Sequence, residues 1–417
     1  MFPNIKRTSF SNHIYSNHKV PLLKQAVIYG ANGSGKSNLL KTFKFIKDFA
    51  IKKDFLDRYT IDRNKFRLVE QIKNNPSLLS VEFTVNKIYY KYSLELNSKK
   101  IKEELVVSGL GEVDDQLIYS RDGKRFKSGN GNDEKIDDAI KKLIERNPYS
   151  SLLSLNSEFP IFENVHMKQV FNWFDNKFDV LSLNRILPAL IEVMSKKENL
   201  LTFANEIFTK VDLGIEAIGI ESKNINELLI KGNEESSKLI ESLKNQITPK
   251  SSFSKMKNDK ILFSLVEEKG ESFIKQFIFK QTGIGNYSVD MDIEDQSDGT
   301  VKLLNLIPAL YDVIKNGKII CIDEIENSIH PSLITSIMSY FSNSKSKGQL
   351  IFTTHETELL NQKKYMRADE IWFTEKHEGN TKLYSLNDFK EHNTINLRNG
   401  YLDGRYGAIP NVSSFQF

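Results

Sequence analysis

The chain has 417 residues, 39% hydrophobic and 27% charged, which is material for two or three soluble domains or for one large domain with an insertion. It holds no apolar run of the ~18 residues that a membrane helix needs and no apolar signal segment near its start, and its one cysteine, Cys321, excludes an intramolecular disulfide and a cysteine-based zinc site; a cytoplasmic protein with no membrane contact is the expectation. With 58 basic and 54 acidic residues the net charge is only +4, a slight lean toward nucleic acid that a Lys- and Asn-rich composition accounts for without one.

Ala26–Tyr29 closes a short apolar run that reads as a buried strand. A glycine-rich turn leads from it into a helix through Ser37, Asn38, Leu39 and Leu40 toward Phe49. From 80 to 96, apolar and polar residues alternate (Val81, Phe83, Val85, then Tyr90, Tyr92, Leu94, Leu96) around Asn86 and Lys87, the pattern of two antiparallel strands joined by a turn. A further strand falls at Ile101–Val107, and the Gly-, Asp-, Asn- and Lys-rich stretch 109–135 reads as a loop with short strands. From 134 the spacing turns helical, as in Ile136, Ala139, Ile140, Leu143 and Ile144, with further helical stretches at 166–177, 184–211 and 225–246. A Ser/Lys-rich segment at 247–260 reads as a mobile loop, followed by strands at 260–267 and 272–280. The chain thus divides into an amino-terminal half with an antiparallel β lobe at 1–133, a helical insertion at 134–259 and a carboxy-terminal half at 260–417.

Gly30–Ser37 (GANGSGKS) matches the pattern G-x-x-x-x-G-K-[ST] in full, between a strand and a helix, which is the context that makes the pattern specific. Its glycines let backbone N–H groups turn inward around phosphates, and the helix start adds the positive end of its dipole. The nucleotide-binding candidates are therefore Asn32, Gly33, Ser34, Gly35, Lys36, Ser37 and Asn38. Lys36 is placed to reach the β- and γ-phosphates of ATP, and Ser37 to ligate Mg²⁺. Far downstream, Lys318–Glu324 (KIICIDE) is an apolar strand ending in two acids. Asp323 is placed to hold Mg²⁺, directly or through water, and Glu324 to polarise the attacking water as a general base.

Two more segments set the branch. Gln296–Thr300 (QSDGT) precedes a helical run through Val301, Leu303, Leu304, Leu306 and Ile307; a Ser-x-Gly turn there is either an anion-binding nest or an ordinary serine N-cap. Gln349–His355 (QLIFTTH) is an apolar strand ending in a histidine, whose imidazole can donate to a phosphate oxygen near neutral pH. Taken in order, YGANGSGKSNLLK, EDQSDGTVKLLNLIPAL, CIDEIENSIHPSL and IFTTHETELL resemble the ABC/SMC-type ATPases. They resemble in particular the overcoming-lysogenisation-defect-like AAA family ATPases of bacterial abortive-infection and anti-phage operons. The tail segments RADEIWF (Arg367–Phe373), YSLNDF (Tyr384–Phe389) and GYLDGRYGAIP (Gly400–Pro410) are similar to the branch that includes the ATPase subunits of PARIS and Rlo-type systems.

The resemblance implies an α/β fold, a P-loop NTPase of ABC-ATPase head type with an antiparallel β lobe and an inserted helical lobe. It implies a homodimer or higher homo-oligomer in which Ser297, Asp298 and Gly299 of one subunit bind the γ-phosphate held by the other, while His355 contacts that phosphate as a switch. Asn327–Pro331 matches the segment lying along the dimer seam, with His330 structural. It also implies a sensor or scaffold, triggered by a phage product, that controls a nuclease effector, often a separate Toprim-like protein. The chain departs from the pattern in lacking a clear Q-loop glutamine, for which Glu104 is the nearest candidate, and in lacking a Toprim acid cluster. The tail leaves little room for a fused nuclease, the insertion is too short for a long coiled-coil arm, and only position suggests Lys6 or Arg7 for the adenine contact. The alternative is a RecF/SMC-like repair or recombination ATPase acting directly on DNA; near-balanced charge counts against it, and DNA binding stays open. A nucleotide-gated module with little turnover is a third reading, against which Glu324 speaks.

Overall fold

The computed structural model of the chain describes residues 1–16, 19–56, 75–97, 100–129, 131, 134–161, 163–182, 189–211, 213–226, 253–257, 260–327, 329–361, 364–389 and 396–410. Its centre is a six-stranded sheet in the order Asn380–Ser385, Ile371–His377, Gln25–Gly30, Gln349–Thr353, Ile319–Asp323, Phe178–Ser182. Every neighbouring pair is parallel except the outer hairpin of Ile371–His377 with Asn380–Ser385. Parallel strands buried on both faces read as continuous apolar runs, which is why IICI and LIF carry no alternation. Successive residues nevertheless feed opposite sides. Ile28 and Cys321 join a core with Leu40, Ile46 and Phe49 of the helix Lys36–Ile51; Val27, Tyr29, Ile320, Ile322, Leu350 and Phe352 join the other.

A five-stranded antiparallel sheet closes the first core: Ser77–Val85, Ile88–Asn97, Lys100–Val107, Gln116–Asp122 and Arg125–Ser128. Asn86 and Lys87 both take positive φ (51° and 67°), the geometry a two-residue hairpin needs to match strand twist. Phe83 stacks on Trp173 with centroids 3.9 Å apart. Trp173 opens a π-helical turn, Trp173–Lys177, between the helix Val165–Asn172 and the edge strand Phe178–Ser182 of the six-stranded sheet. The second core takes the helices Leu190–Lys196, Glu198–Lys210, Asp298–Asn316 and Pro331–Asn343. A second antiparallel sheet, in the order Ile215–Asn224, Glu271–Thr282, Lys260–Glu268, Phe253–Lys257, with Ser288–Asp292 beside Glu271–Thr282, lies against it.

The segment 134–259 is less purely helical than its spacing suggests. It supplies helices, but Phe178–Ser182 from within it pairs in register with Ile319–Asp323 at the edge of the central sheet, and Ile215–Asn224 and Phe253–Lys257 belong to the second antiparallel sheet. Phe178–Ser182 is five residues long, too short for periodicity to separate strand from buried helix. Of the 184–211 stretch, 189–211 holds two helices meeting at Lys197, and 184–188 lies outside the described residues. The expected loop 247–260 contains the strand Phe253–Lys257, while 247–252 and the helical stretch 225–246 from 227 onward lie outside the described residues. Among the described residues, no helix is long and apolar enough to cross a membrane.

One buried polar node fixes the antiparallel sheet against the rest. The Glu103 carboxylate, 1% exposed, accepts from the hydroxyls of Tyr92 (2.9 Å) and Tyr119 (2.7 Å) and from the N–H of Leu152 (2.9 Å). Buried Arg121 donates to the carbonyls of Ser150 (2.6 Å), Pro148 (2.5 Å) and Gly123 (2.9 Å). Next in the chain, Ser151 Oγ donates to the carbonyl of Ala50, in the last turn of the helix Lys36–Ile51. Burial pushes the Glu103 carboxyl above the usual carboxylate range, opposed by Arg121 and by the three donors Leu152 N–H, Tyr119 and Tyr92. Replacing Glu103 by Ala strands two tyrosine hydroxyls and leaves Arg121 uncompensated, at an expected cost of about 3–5 kcal/mol. Glu103→Gln keeps one acceptor and is expected to cost about 1–3 kcal/mol. Urea unfolding of both variants measures this; equal midpoints for Glu103→Ala and the unmodified protein would show that the node does not hold the sheet.

Candidate nucleotide-binding site

The strand Gln25–Gly30 is buried along its whole length and ends in a loop that only glycines can build. A Cβ on Gly30 would run into the hydroxyls of Thr374 and Ser34, and one on Gly35 into Thr381. Gly33 and Gly35 take φ of 77° and 112°, a region that side chains rarely enter. The loop is wedged against the outer hairpin: Ser34 Oγ hydrogen-bonds Thr374 Oγ1 at 2.7 Å, and Thr381 Oγ1 donates to the Ser34 carbonyl at 2.8 Å. The Ser34 N–H donates to the Ala31 carbonyl at 3.1 Å, so this residue is committed to the shape of the loop. The helix Lys36–Ile51 follows with Gly35 as its N-cap and no side chain capping it. Its first-turn N–H groups, with Asn32, Gly33 and Asn38 exposed and Ser37 half-buried beside them, can serve an anion.

The strand Gln349–Thr353 lies between the loop's strand and Ile319–Asp323, so three parallel strands bring their carboxyl ends together. Ligand crevices form at such ends in open α/β sheets. Thr353 Oγ1 donates to Asp323 Oδ1 (2.6 Å) and accepts from the N–H of Glu324 (2.8 Å). The N–H of Ile325 donates to the Thr353 carbonyl at 3.2 Å. Glu324 takes φ 51°, an uncommon backbone for a non-glycine residue that needs its surroundings to hold it. Lys36 Nζ donates to the Gly30 carbonyl at 2.7 Å and stands 3.1 Å from His355 Nε2. Against a lysine donor that imidazole nitrogen is the acceptor. Burial pushes the Lys36 ammonium below its ordinary value, while Glu326, Glu324 and Asp323 pull it up.

One ammonium facing three carboxylates leaves acceptor capacity for a divalent cation. The Ser37 hydroxyl and the Asp323 carboxylate fit a hydrated Mg²⁺, which takes one or two protein oxygens and completes its shell with phosphate and water. Among the described residues, no cluster of three or more His, Cys, Asp or Glu side chains could hold a metal ion.

Lys36, Asp323, Glu324 and His355 are thus brought together, and the Ser-x-Gly turn stands apart. Ser297 is the N-cap of Asp298–Asn316, accepting from the Thr300 N–H at 3.2 Å, with Thr300 Oγ1 2.9 Å from its hydroxyl. The ordinary capping geometry is therefore realised. Ser297 and Asp298 are exposed and Gly299 half-buried, and among the described residues no hydrogen bond or ion pair joins 297–299 to 30–38. His330 caps Pro331–Asn343 through Nδ1, the structural role expected of it. Two expectations fail. Arg7 donates to Asn387 Oδ1 at 3.2 Å and its carbonyl accepts from Arg367, at the amino end of the loop's strand and so at the far end of the sheet from Gly30; it does not serve an adenine there. Glu104 is exposed in mid-strand, opposite Ser93 and Ser120 in the antiparallel sheet, which removes it as a Q-loop residue.

Sequence reasoning missed Thr353, Thr374, Thr381 and Glu326. Only the third acid of the DEIE run and the paired threonines before His355 signalled any of them. The tail packs behind the loop's strand. Tyr401 lies 5.5 Å from Tyr29, the Tyr29 hydroxyl donates to the Glu356 carbonyl (2.8 Å), and Tyr384 donates to that of Tyr406 (2.7 Å).

Residues 26–361 match the family described as "AAA domain, putative AbiEii toxin, Type IV TA system". No curated protein matches the chain. Among solved structures it is similar to an Smc head bound to the C-winged helix domain of ScpA, at 13% identity and TM-score 0.37 over 88% of this chain and 92% of that one. It is similar to an Smc head domain with an extended coiled coil bound to the C-terminal domain of ScpA, derived from Pyrococcus furiosus, at 14% identity and TM-score 0.31 over 88% and 91%. It is similar also to the SMC head domain from Thermotoga maritima, at 10% identity and TM-score 0.31 over 89% and 95%.

Thr353→Val keeps the shape of the side chain and removes the hydroxyl that links Asp323 to Glu324. Because small misplacements of reacting groups are costly, ATP hydrolysis is expected to fall about 100-fold while ATP affinity stays within about threefold. Parallel binding and turnover assays check this, and an unchanged rate would show that the link does not orient the acids.

Proposed function

Since the chain belongs to this AAA-domain family, we propose that it binds and hydrolyses ATP as an ABC-type ATPase whose two sites are completed by a second copy. The observation that carries the reading is the convergence of Lys36, Asp323, Glu324 and His355 at the ends of three adjacent parallel strands. In it the N–H groups of Gly33 and of Gly35 to Asn38 surround the β- and γ-phosphates, and Lys36 turns from the Gly30 carbonyl to the phosphate oxygens. Ser37 and Asp323 hold Mg²⁺, which supplies charge neutralisation across the phosphates when bound. Glu324 accepts a proton from the water aligned on the γ-phosphate, and His355 donates to a γ-phosphate oxygen. Ser297 and Gly299, exposed or half-exposed at a helix start and unconnected to their own loop, serve the partner's γ-phosphate.

The wider role we propose is anti-phage defence of the abortive-infection kind, with the ATPase as a sensor that controls a separate nuclease effector. It is supported by the family's toxin–antitoxin description and by the tail motifs. Purifying Glu324→Gln from its host with ATP and Mg²⁺ tests this. A stoichiometric nuclease supports the regulatory role, whereas a homodimer carrying DNA, with DNA-stimulated turnover in the unmodified protein, favours a repair-type ATPase.

Completion in trans makes a quantitative forecast. Lys36→Ala and Ser297→Arg proteins are each expected to be inactive alone. Random pairing makes about half the dimers mixed, each with one intact site of two, so an equimolar mixture should recover about a quarter of the unmodified turnover. A mixture as inactive as its components would sink the shared-site reading.

A further inference from the structure

We infer that Glu326 is a positioning residue of this site: its carboxylate fastens the backbone of His355 and so sets the imidazole against Lys36. The inference rests on the ATPase reading above. Glu326 lies two residues beyond the proposed base, in the turn that Glu324 begins with its positive φ. Its own backbone is anchored, since its carbonyl accepts from Ile329 N–H (2.8 Å) and the preceding Ile325 is fully buried with its N–H on the Thr353 carbonyl. From that fixed base, Oε1 accepts the N–H of His355 at 2.6 Å, a short charge-assisted bond.

The neighbouring N–H groups show what this bond decides. Thr354 N–H still donates to the sheet, to the carbonyl of Ile28 at 3.2 Å. Glu356 N–H turns back on Thr354 Oγ1 at 3.0 Å. Between them the sheet has ended, and the His355 peptide is held by Glu326 alone among these partners, while its side chain is exposed. The imidazole 3.1 Å from Lys36 Nζ therefore depends on a carboxylate carried by the turn after Asp323. Among the carboxylates acting on Lys36, Glu326 has the largest influence, ahead of Glu324 and Asp323. Its second oxygen, Oε2, is buried and, among the described residues, has no hydrogen-bond partner. A merely structural clamp gains nothing from a stranded oxygen, so the residue type answers to the site.

The test uses the full chain with Glu326→Ala, Glu326→Asp, Glu326→Gln, His355→Ala and the double variant Glu326→Ala/His355→Ala. Ala removes the acceptor, Asp keeps the charge but is one methylene too short, and Gln keeps an acceptor at full length. Misplaced reacting groups cost up to about 100-fold, so Ala and Asp should lower kcat by about 10- to 100-fold with KM for ATP within about threefold, and Gln should stay within about fivefold. Because Glu326 acts through His355, the double variant should be no slower than His355→Ala. Amide hydrogen exchange of the peptide covering 351–360, without nucleotide, should quicken in Ala and Asp and not in Gln. Effects that multiply in the double variant, or an Asp variant with unaltered rate and exchange, would overturn the role of Glu326. If Glu326→Ala does not fold, the Asp and Gln variants decide alone. An unmodified protein that binds no ATP would overturn the ATPase reading instead.

Discussion

The hydroxyl of Thr353, shared between the Asp323 carboxylate and the Glu324 N–H, is the interaction on which the rest of the site depends. It sits at the end of the strand between the P-loop strand and the Asp323 strand, so one side chain locks the acids to the sheet that carries the loop. Parallel pairing makes this reliable. Ile322 stands beside Phe352 and Thr353 beside Ile28, so the ends of all three strands fall within a residue or two of one another. A register slip would reverse the faces of the buried residues on both sides at once, which the two cores forbid.

That rigidity is supplied from behind. On one face the P-loop helix packs under an antiparallel sheet that Glu103 and Arg121 tie to the end of the helix. On the other, the tail aromatics Tyr401 and Tyr406 pack against Phe373, and Tyr401 against Tyr29. Buried Arg367 adds a strap, pairing with Asp369 and donating to the carbonyls of Asn4, Arg7 and Ser9. The tail motifs that stood out in the sequence thus surround the P-loop strand, and their link to the site is through packing. Against this scaffold the His355 segment is lightly held. Its exposed side chain and its single carboxylate tie make it the part of the site most able to change with its surroundings.

The sequence by itself determined the local chemistry. The glycine pattern of Gly30–Ser37 is a property of eight consecutive residues, and φ of 77° and 112° at Gly33 and Gly35 follows from what only glycine tolerates. The Asn86-Lys87 hairpin, the strand ending in Asp323-Glu324 and the strand ending at His355 were legible for the same reason: each is a short-range pattern of burial and turn. Tertiary structure decided whatever joins distant residues. Phe178–Ser182 became the edge strand of the central sheet because Ile319–Asp323 had an open edge for it. Thr374 and Thr381 became supports of the loop across separations of 340 and 347 residues from Ser34. Glu103 rather than Glu104 proved the meaningful acid of its pair, because strand alternation turned the first inward and the second out. Glu326 gained its place only when the turn after Asp323 met the end of the neighbouring strand. Local residue types fix what a segment can do; which groups meet is fixed by the burial of both sheet faces, and that is a property of the whole chain.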